Sequence, residues 1–371
     1  MTGGPWVERC TECALTYPVP TTAWRCTCGG LLTLSAPPAD RIVGDGSRWS
    51  MWRYGPVLPP LAAWERVTMG EGMTPVVPLA DGVWAKVDFL NPTLSFKDRG
   101  AALLVAAAAT LGARDLVTDS SGNAGTAVAA YAARAGIRAE VWVPAGTSEG
   151  KLAALRAHGA TVAVADGDRE AAAAGALQRV EETDWYYASH VYQPLFGHGV
   201  KTLVLELWEQ LGGTLPDTLV LPAGNGTLVS GAAHAVADLQ AQGLLGRGPR
   251  IIAVQAANCA PLTGWPPTGP TVAEGIAIAA PARAAEVVAV IEASGGAVVT
   301  VDDGEILAAQ ADLAARGLWV EPTAAAGWAA CRSGAAAEAG PRPGQRSGGP
   351  PSAVTVLCGA GLKSPGAKHP A

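Results

Sequence analysis

The chain has 371 residues, 49% of them hydrophobic and 16% charged, with a formal net charge of −6. So long and apolar a chain buries more core than one compact domain holds, and two domains are expected. The acidic balance argues against nucleic acid or an anionic membrane surface as the main partner and suits a small metabolite.

Met1 to Arg9 lacks a basic stretch followed by an apolar run, and no apolar run reaches the roughly 18 to 20 residues that a bilayer crossing needs; the chain reads as cytoplasmic. The first organised unit is Cys10-Thr-Glu-Cys13 followed by Cys26-Thr-Cys28-Gly29-Gly30. Two close cysteine pairs joined by a hairpin can present four thiolates to zinc, and the glycines let the backbone turn around the metal. A structural zinc ribbon over residues 1–34 is the favoured reading, with four reduced thiols as the alternative. A secreted disulfide framework is not expected, since seven cysteines is an odd number and four sit at metal-like spacing.

Ser35 to Trp64 is rich in Pro and Trp, has no period and reads as a wrapping linker; Gly70-Glu71-Gly72-Met73-Thr74-Pro75 carries turn chemistry. Then comes Asn91-Pro92-Thr93-Leu94-Ser95-Phe96-Lys97-Asp98-Arg99-Gly100, a polar loop before a helix, Ala101 to Leu111, that is apolar nearly all round and must be buried. A lysine at the edge of a core loses hydration, so its free amine becomes available to condense with an aldehyde. Asp98 and Arg99 read as a charged first turn with a structural role.

After this helix the chain alternates. Strands are expected at Leu116–Thr118, Ala139–Pro144, Thr161–Ala165 and Trp185–Ala188, and helices at Asn123–Ala135, Glu149–His158 and Arg169–Glu182. Such βα repeats predict a parallel sheet with helices on both faces. Asp119-Ser120-Ser121-Gly122-Asn123-Ala124-Gly125 stands at a strand end before a helix, where backbone N–H groups favour an anion; it reads as a carboxylate or phosphate cradle or as a plain N-cap. Gly199 to Leu211 is expected as one amphipathic helix crossing into the second domain. The strand Thr218–Leu221 runs into Pro222-Ala223-Gly224-Asn225-Gly226-Thr227-Leu228, whose glycines would let backbone approach a phosphate. Further on are a strand Arg250–Gln255, a helix Asp302–Arg316, an excursion rich in Gly, Pro, Arg and Ala over Arg332–Ser352, and a last strand Ala353–Leu357 before Cys358. The predicted architecture is two doubly wound α/β domains, 35–198 and 199–371, behind the ribbon.

Asn-Pro-Thr-x-Ser-Phe-Lys-Asp-Arg-Gly resembles the cofactor-lysine motif of threonine synthases, within the tryptophan-synthase-β-like (fold type II) pyridoxal-phosphate enzymes. The likeness runs over almost the whole chain: the four-cysteine segment resembles the ribbon of many threonine synthases, Glu71 to Pro75 the family's "EGxTP", Val272 to Ile276 a segment lining the site, Val320 to Ala326 the "VEPTSAA" turn, and Cys358 to Lys363 the "TGxGLK" ending. It implies pyridoxal 5′-phosphate between the two domains on Lys97, which is also the catalytic base. Asn123 would face the cofactor's ring oxygen, Gly224, Asn225, Gly226 and Thr227 its phosphate, and Cys358 its pyridine nitrogen. Substrate would be bound by Ser95, Ser120, Ser121, Gly122, Ala124, His190 and Phe196, and structural zinc by Cys10, Cys13, Cys26 and Cys28. The fold is usually dimeric in this family. Glu321 is either a site residue or a structural N-terminal charge.

The resemblance implies a lyase that eliminates γ-phosphate from O-phospho-L-homoserine and adds water at Cβ to give L-threonine. Two departures bear on this. Where the family usually has Asn-Ser-x-Asn-Pro-x-Arg-x-x-Gly-x-Lys-Thr to grip the phosphate, this chain reads His190-Val191-Tyr192-Gln193-Pro194-Leu195-Phe196-Gly197-His198-Gly199-Val200-Lys201-Thr202, with Phe196 at the arginine position. Either His190, His198, Lys201 or Arg99 replaces that arginine, or the substrate is no phosphoester; His190 also reads as a packed structural residue. Cys358 stands where threonine is usual and also occurs in some dehydratases of this fold. The alternative reading is a β-elimination or β-replacement enzyme of the serine/threonine dehydratase or ammonia-lyase type.

Overall fold

The computed structural model describes residues 5–334 and 351–363. In chain order the elements are β1 (Val7–Cys10), β2 (Thr16–Pro18), β3 (Leu32–Ser35), α1 (Trp64–Val67), β4 (Val76–Ala80), β5 (Val83–Lys86), α2 (Lys97–Thr110), β6 (Asp115–Thr118), α3 (Asn123–Ala135), β7 (Arg138–Pro144), α4 (Glu149–Ala157), β8 (Thr161–Ala165), α5 (Arg169–Glu182), β9 (Tyr186–Tyr187) and α6 (Pro194–Val200). There follow α7 (Thr202–Gln210), β10 (Thr218–Pro222), α8 (Thr227–Ala241), β11 (Arg250–Ala256), α9 (Ala284–Ala293), β12 (Ala297–Val301), α10 (Asp303–Ala315), α11 (Pro322–Arg332) and β13 (Ala353–Val356). Most of the excursion expected over 332–352, residues 335–350, lies outside the described residues. Among the described residues no helix is long and apolar enough to cross a membrane.

The chain divides into two compact units, residues 1–72 with 97–200 and residues 73–96 with 201–371. The first unit holds an antiparallel sheet of order β2-β1-β3 and a parallel sheet of order β8-β7-β6-β9. In it α2 is buried from Asp98 to Ala109 and packs against α3 and α6, as an all-apolar helix must. The second unit is built on the order β12-β11-β10-β13-β5-β4, parallel except for β4. All five residues of β10 are buried, the mark of a strand covered on both faces. Local signals agree with the elements: the Asp168 carboxylate accepts the N–H groups of Glu170 and Ala171 (3.0 and 3.1 Å) to start α5, and Asp302 with Glu305 forms a capping box on α10.

The structure departs from the sequence reading in four places, the first being that the helix expected from Ala101 to Leu111 already begins at Lys97. Residues 73–96 leave the stretch 35–198, because β5 pairs in parallel with β13 and β4 with β5, so both strands complete the second unit's sheet. The single helix expected over 199–211 is two, α6 and α7, broken at Lys201. The break has a packing cause: α6 belongs to the first unit, where Gly199 has no room for a Cβ beside the Arg99 carbonyl, whereas Lys201 is buried in the second unit against Asp238 (2.7 Å). The turn expected at Val320 to Ala326 opens α11, with Glu321 at its N-cap and Pro322 in its first turn.

Candidate active site

In the second unit, β10 and β13 are parallel neighbours, so the loops that leave their C-terminal ends emerge along one edge of the sheet. After β10 comes Ala223-Gly224-Asn225-Gly226. The Ala223 N–H donates to the Val254 carbonyl (2.8 Å) and its own carbonyl accepts from Gln255 Nε2 (3.1 Å), which fastens the loop. Gly226 is left-handed (φ +77°), and a Cβ there would overlap Val287, so only glycine fits. It caps α8 without any side-chain hydrogen bond, and the first intrahelical bond runs from Ser230 N–H to the Gly226 carbonyl. The N–H groups of Thr227, Leu228 and Val229 therefore have no intrahelical acceptor, and with the helix dipole they suit an anion. After β13, Cys358 is buried, its carbonyl accepts the Phe96 N–H (3.0 Å), and Gly359 bridges Ser95. The Ser95 hydroxyl is buried and has no hydrogen-bond partner among the described residues. The Gly359 carbonyl accepts the Glu321 N–H (3.0 Å), and Thr323 Oγ1 accepts the Gly275 N–H (3.0 Å), so Glu321 and the Glu274–Ile276 turn stand on this edge too.

In the first unit, Lys97 is the first residue of α2 and is half-buried. Its Nζ lies 5.4 Å from the centroid of the Phe196 ring, which is fully buried. Gly100 makes this possible: a Cβ there would sit 2.5 Å from the Phe196 ring atoms. His190 meets the same ring at 5.9 Å. Burial, and then the charges of Lys97 and Arg169, hold the His190 imidazole well below its ordinary pKa, so it is neutral. The loop from the end of β6 places Ser120, Ser121 and Gly122, all half-buried, before α3, which opens with Asn123 and the buried Ala124. Gly122 caps α3 with no side-chain bond, and a Cβ on it would meet open space.

The cations that could grip a phosphate are otherwise engaged. Lys201 is fully buried in its ion pair with Asp238. Arg99 is fully buried in α2, and both it and Asp98, which stands in the helix's first turn as expected, act electrostatically on Tyr131. His198 is buried with its ring edge-on to Trp6 (6.2 Å).

Sequence reasoning missed Glu71. It is fully buried and accepts from Trp52 Nε1 (2.5 Å), the Met69 N–H (2.9 Å), Tyr131 Oη (3.1 Å) and Thr68 Oγ1 (3.3 Å), tying the segment before the site to α3. It missed equally the fully buried Lys86–Glu206 pair (2.9 Å) of the second unit. In both cases the partners that bury the charge, Trp52 and Tyr131 for Glu71 and Glu206 for Lys86, are too distant in sequence for any local pattern to announce them.

The four cysteines of the ribbon have Sγ atoms within 4.8 Å of one another. Cys10 and Cys28, and Cys13 and Cys26, are each 3.5 Å apart at sulfur. A tetrahedral zinc with sulfurs at about 2.3 Å spaces them by about 3.8 Å, so the set fits. The N–H groups of Cys13 and Glu12 lower the Cys10 thiol, and the Tyr17 hydroxyl, followed by the Cys28 N–H, brings the Cys26 thiol down to about 6. Both effects favour the thiolate that a metal requires, whereas Cys28, despite the Gly30 N–H, is pushed up to about 12 by the neighbouring sulfurs of Cys10, Cys13 and Cys26. Gly30 has no Cβ to crowd Cys10 Sγ, which would lie 2.6 Å away.

The profile of the family described as "Pyridoxal-phosphate dependent enzyme" matches residues 67–359. A threonine synthase of Methanosarcina acetivorans is 33% identical over 349 residues, covering 87% of this chain and 85% of that protein. One of Mycobacterium leprae is 37% identical over 284 residues, covering 74% and 79%. Among solved structures, a threonine deaminase from T.th. superposes with a TM-score of 0.66 at 28% identity, covering 81% of this chain and 96% of that one.

Proposed function

The chain belongs to the pyridoxal-phosphate-dependent enzymes as a threonine synthase-like member of fold type II, and we propose that it is a lyase converting O-phospho-L-homoserine and water to L-threonine and phosphate. The observation that carries this reading is Lys97 at the start of a buried helix, within a motif that resembles the cofactor-lysine motif of threonine synthases. The uncapped start of α8 behind Gly226 suits the cofactor's phosphate, and in this reading Asn123, at the start of α3, and the buried Cys358 would face its ring. Bound there, pyridoxal phosphate would supply an electron sink for charge developing on the substrate.

In this reading Lys97 would hold the cofactor and would take and return protons at the substrate's Cα and Cβ. The α3 first turn with Ser120, Ser121, Gly122 and Ala124 orients the substrate carboxylate, and Ser95 offers its hydroxyl to the same ligand. Cys358 would stand near the ring nitrogen as a weak hydrogen-bond partner rather than a carboxylate, a donor set that suits elimination and replacement. The zinc site is structural, since four sulfur ligands leave no open position. A cytoplasmic homodimer completes the proposal, on the resemblance alone.

A second reading, β-elimination from an unphosphorylated amino acid such as serine or threonine, is favoured by one observation. In its own unit the Lys97 amine faces the Phe196 ring, and against that ring packs a neutral His190. Borohydride reduction of the cofactor-loaded protein followed by peptide mapping tests what both readings share: the label is expected on Lys97, and a label elsewhere overturns both. Release of a 2-oxo acid from serine or threonine, with no phosphate from O-phospho-L-homoserine, would select the second.

A further inference from the structure

The ribbon and the residues around Lys97 lie in the same compact unit, and they are joined by side chains. Trp24, two residues before the metal-ligand candidate Cys26, is half-buried between Tyr187 (5.4 Å, edge-on) and Tyr192 (5.2 Å). Arg25 lies over the rings of both Trp24 (5.4 Å) and Tyr192 (5.2 Å). Gln193 Nε2 donates to the Ala23 carbonyl (3.5 Å) and to the Tyr187 carbonyl (3.4 Å). From there the path is short. The Gln193 carbonyl accepts the Phe196 N–H (3.2 Å), and Ser189 Oγ accepts the N–H groups of Val191 and Tyr192 (3.3 Å each), so the segment that carries His190 and Phe196 is one hydrogen-bonded piece. Phe196 ends the path beside Lys97. Trp6, at the other end of the ribbon, touches the same segment at His198.

We propose that Trp24 is a positioning residue that sets the segment 189–200, and through Phe196 the surroundings of Lys97, and that the four-cysteine site is what holds Trp24 in place. The physical ground is the size of the ribbon. Around the cysteines its buried cluster is Cys10, Cys26 and Leu32, with Tyr17 and Ala23 packed on it, and Leu34 is its other buried apolar side chain, too few apolar groups to fix a turn without the metal. Without the metal, the Cys26 turn frays and Trp24 leaves the tyrosines; the segment then loses its outer support while the core around α2 stays intact.

The test uses the full chain loaded with pyridoxal phosphate, as wild type and as Trp24→Ala, each with bound Zn2+ and after removal by a chelator. Two properties are read: amide hydrogen exchange in 189–200, and the pH midpoint of the visible band of the cofactor on Lys97. In the wild type, removing zinc is expected to speed exchange in 189–200 at least about tenfold and to shift the midpoint. In zinc-loaded Trp24→Ala both changes are already present, removing zinc adds less than about twofold, and Trp24→Phe restores most of the wild-type behaviour. Should Trp24→Ala fail to fold, Tyr192→Leu removes the same contact from the other side. If zinc removal opens residues 5–35 and leaves 189–200 unchanged, or if Trp24→Ala keeps the full response to zinc, the proposal is wrong. It relies on the cofactor reading only for the visible band, so altered exchange in a protein without that band would sink the functional reading and leave this one standing.

Discussion

The starts of α3 and α8 are built alike and differ in what they can hold. Each helix follows a parallel strand, each has a glycine N-cap, and neither cap supplies a side-chain hydrogen bond. Before α8, Gly226 is left-handed against Val287 and Ala223 is bonded to both Val254 and Gln255, so the loop has one available shape. Before α3, Gly122 is extended (φ −97°), two serines are half-buried, and Gly122 N–H donates to Ser120 Oγ at 3.4 Å. A rigid glycine turn suits an anion that stays bound, and an adaptable hydroxyl-bearing turn suits one that is exchanged at each cycle. On this reading the cofactor phosphate belongs to α8 and the substrate carboxylate to α3.

The comparison breaks most sharply at Gly226. Gly226→Val places a β-branched residue at positive φ and into Val287, and cofactor affinity, read by visible titration, is expected to fall by at least about a hundredfold. Ser121→Ala acts on the other helix start: KM is expected to rise about tenfold, as for loss of one hydrogen bond to a charged group, with cofactor affinity unchanged. If Ser121→Ala weakened the cofactor instead, the division of labour between the two loops would be wrong.

The smallest effect concerns protons, which the buried His190 of the first unit and the half-buried His234 of the second both resist. Burial, then the charges of Lys201 and Arg283, brings His234 down to about 4, and His190 is lowered as well. Their folded values lie below the ordinary value of about 6.5, so the unfolded chain takes up protons first. The stability they contribute is complete above about pH 6.5 and is lost as pH falls toward 4, up to about 3 kcal/mol for His234. Urea midpoints at pH 7.5 and 5 read the loss, and His234→Gln is expected to flatten it.

How much of this was legible in the sequence depended on range. Helix α3 begins and ends where Gly122 and Gly136 say it should, and α5 likewise spans the expected Arg169 to Glu182, because caps are local chemistry. The lysine loop, the serine loop and the glycine turn were all visible for the same reason. The exchange of β4 and β5 into the second unit's sheet was not, since a hairpin does not state which sheet it will join. Nor was the break at Lys201, set by Asp238 far along the chain, nor the contact of Trp24 with Tyr187 and Tyr192. Phe196 was noticed as a departure from a motif; its place against Gly100 and Lys97 required the fold.

The most direct test of the central claim is a product assay of the cofactor-loaded chain with O-phospho-L-homoserine, following phosphate and threonine together. The account predicts equal amounts of both from the wild type and neither from Lys97→Ala. Absence of phosphate from the wild type, with 2-oxo acid released from serine or threonine, would contradict it and make Phe196 the mark of a different substrate.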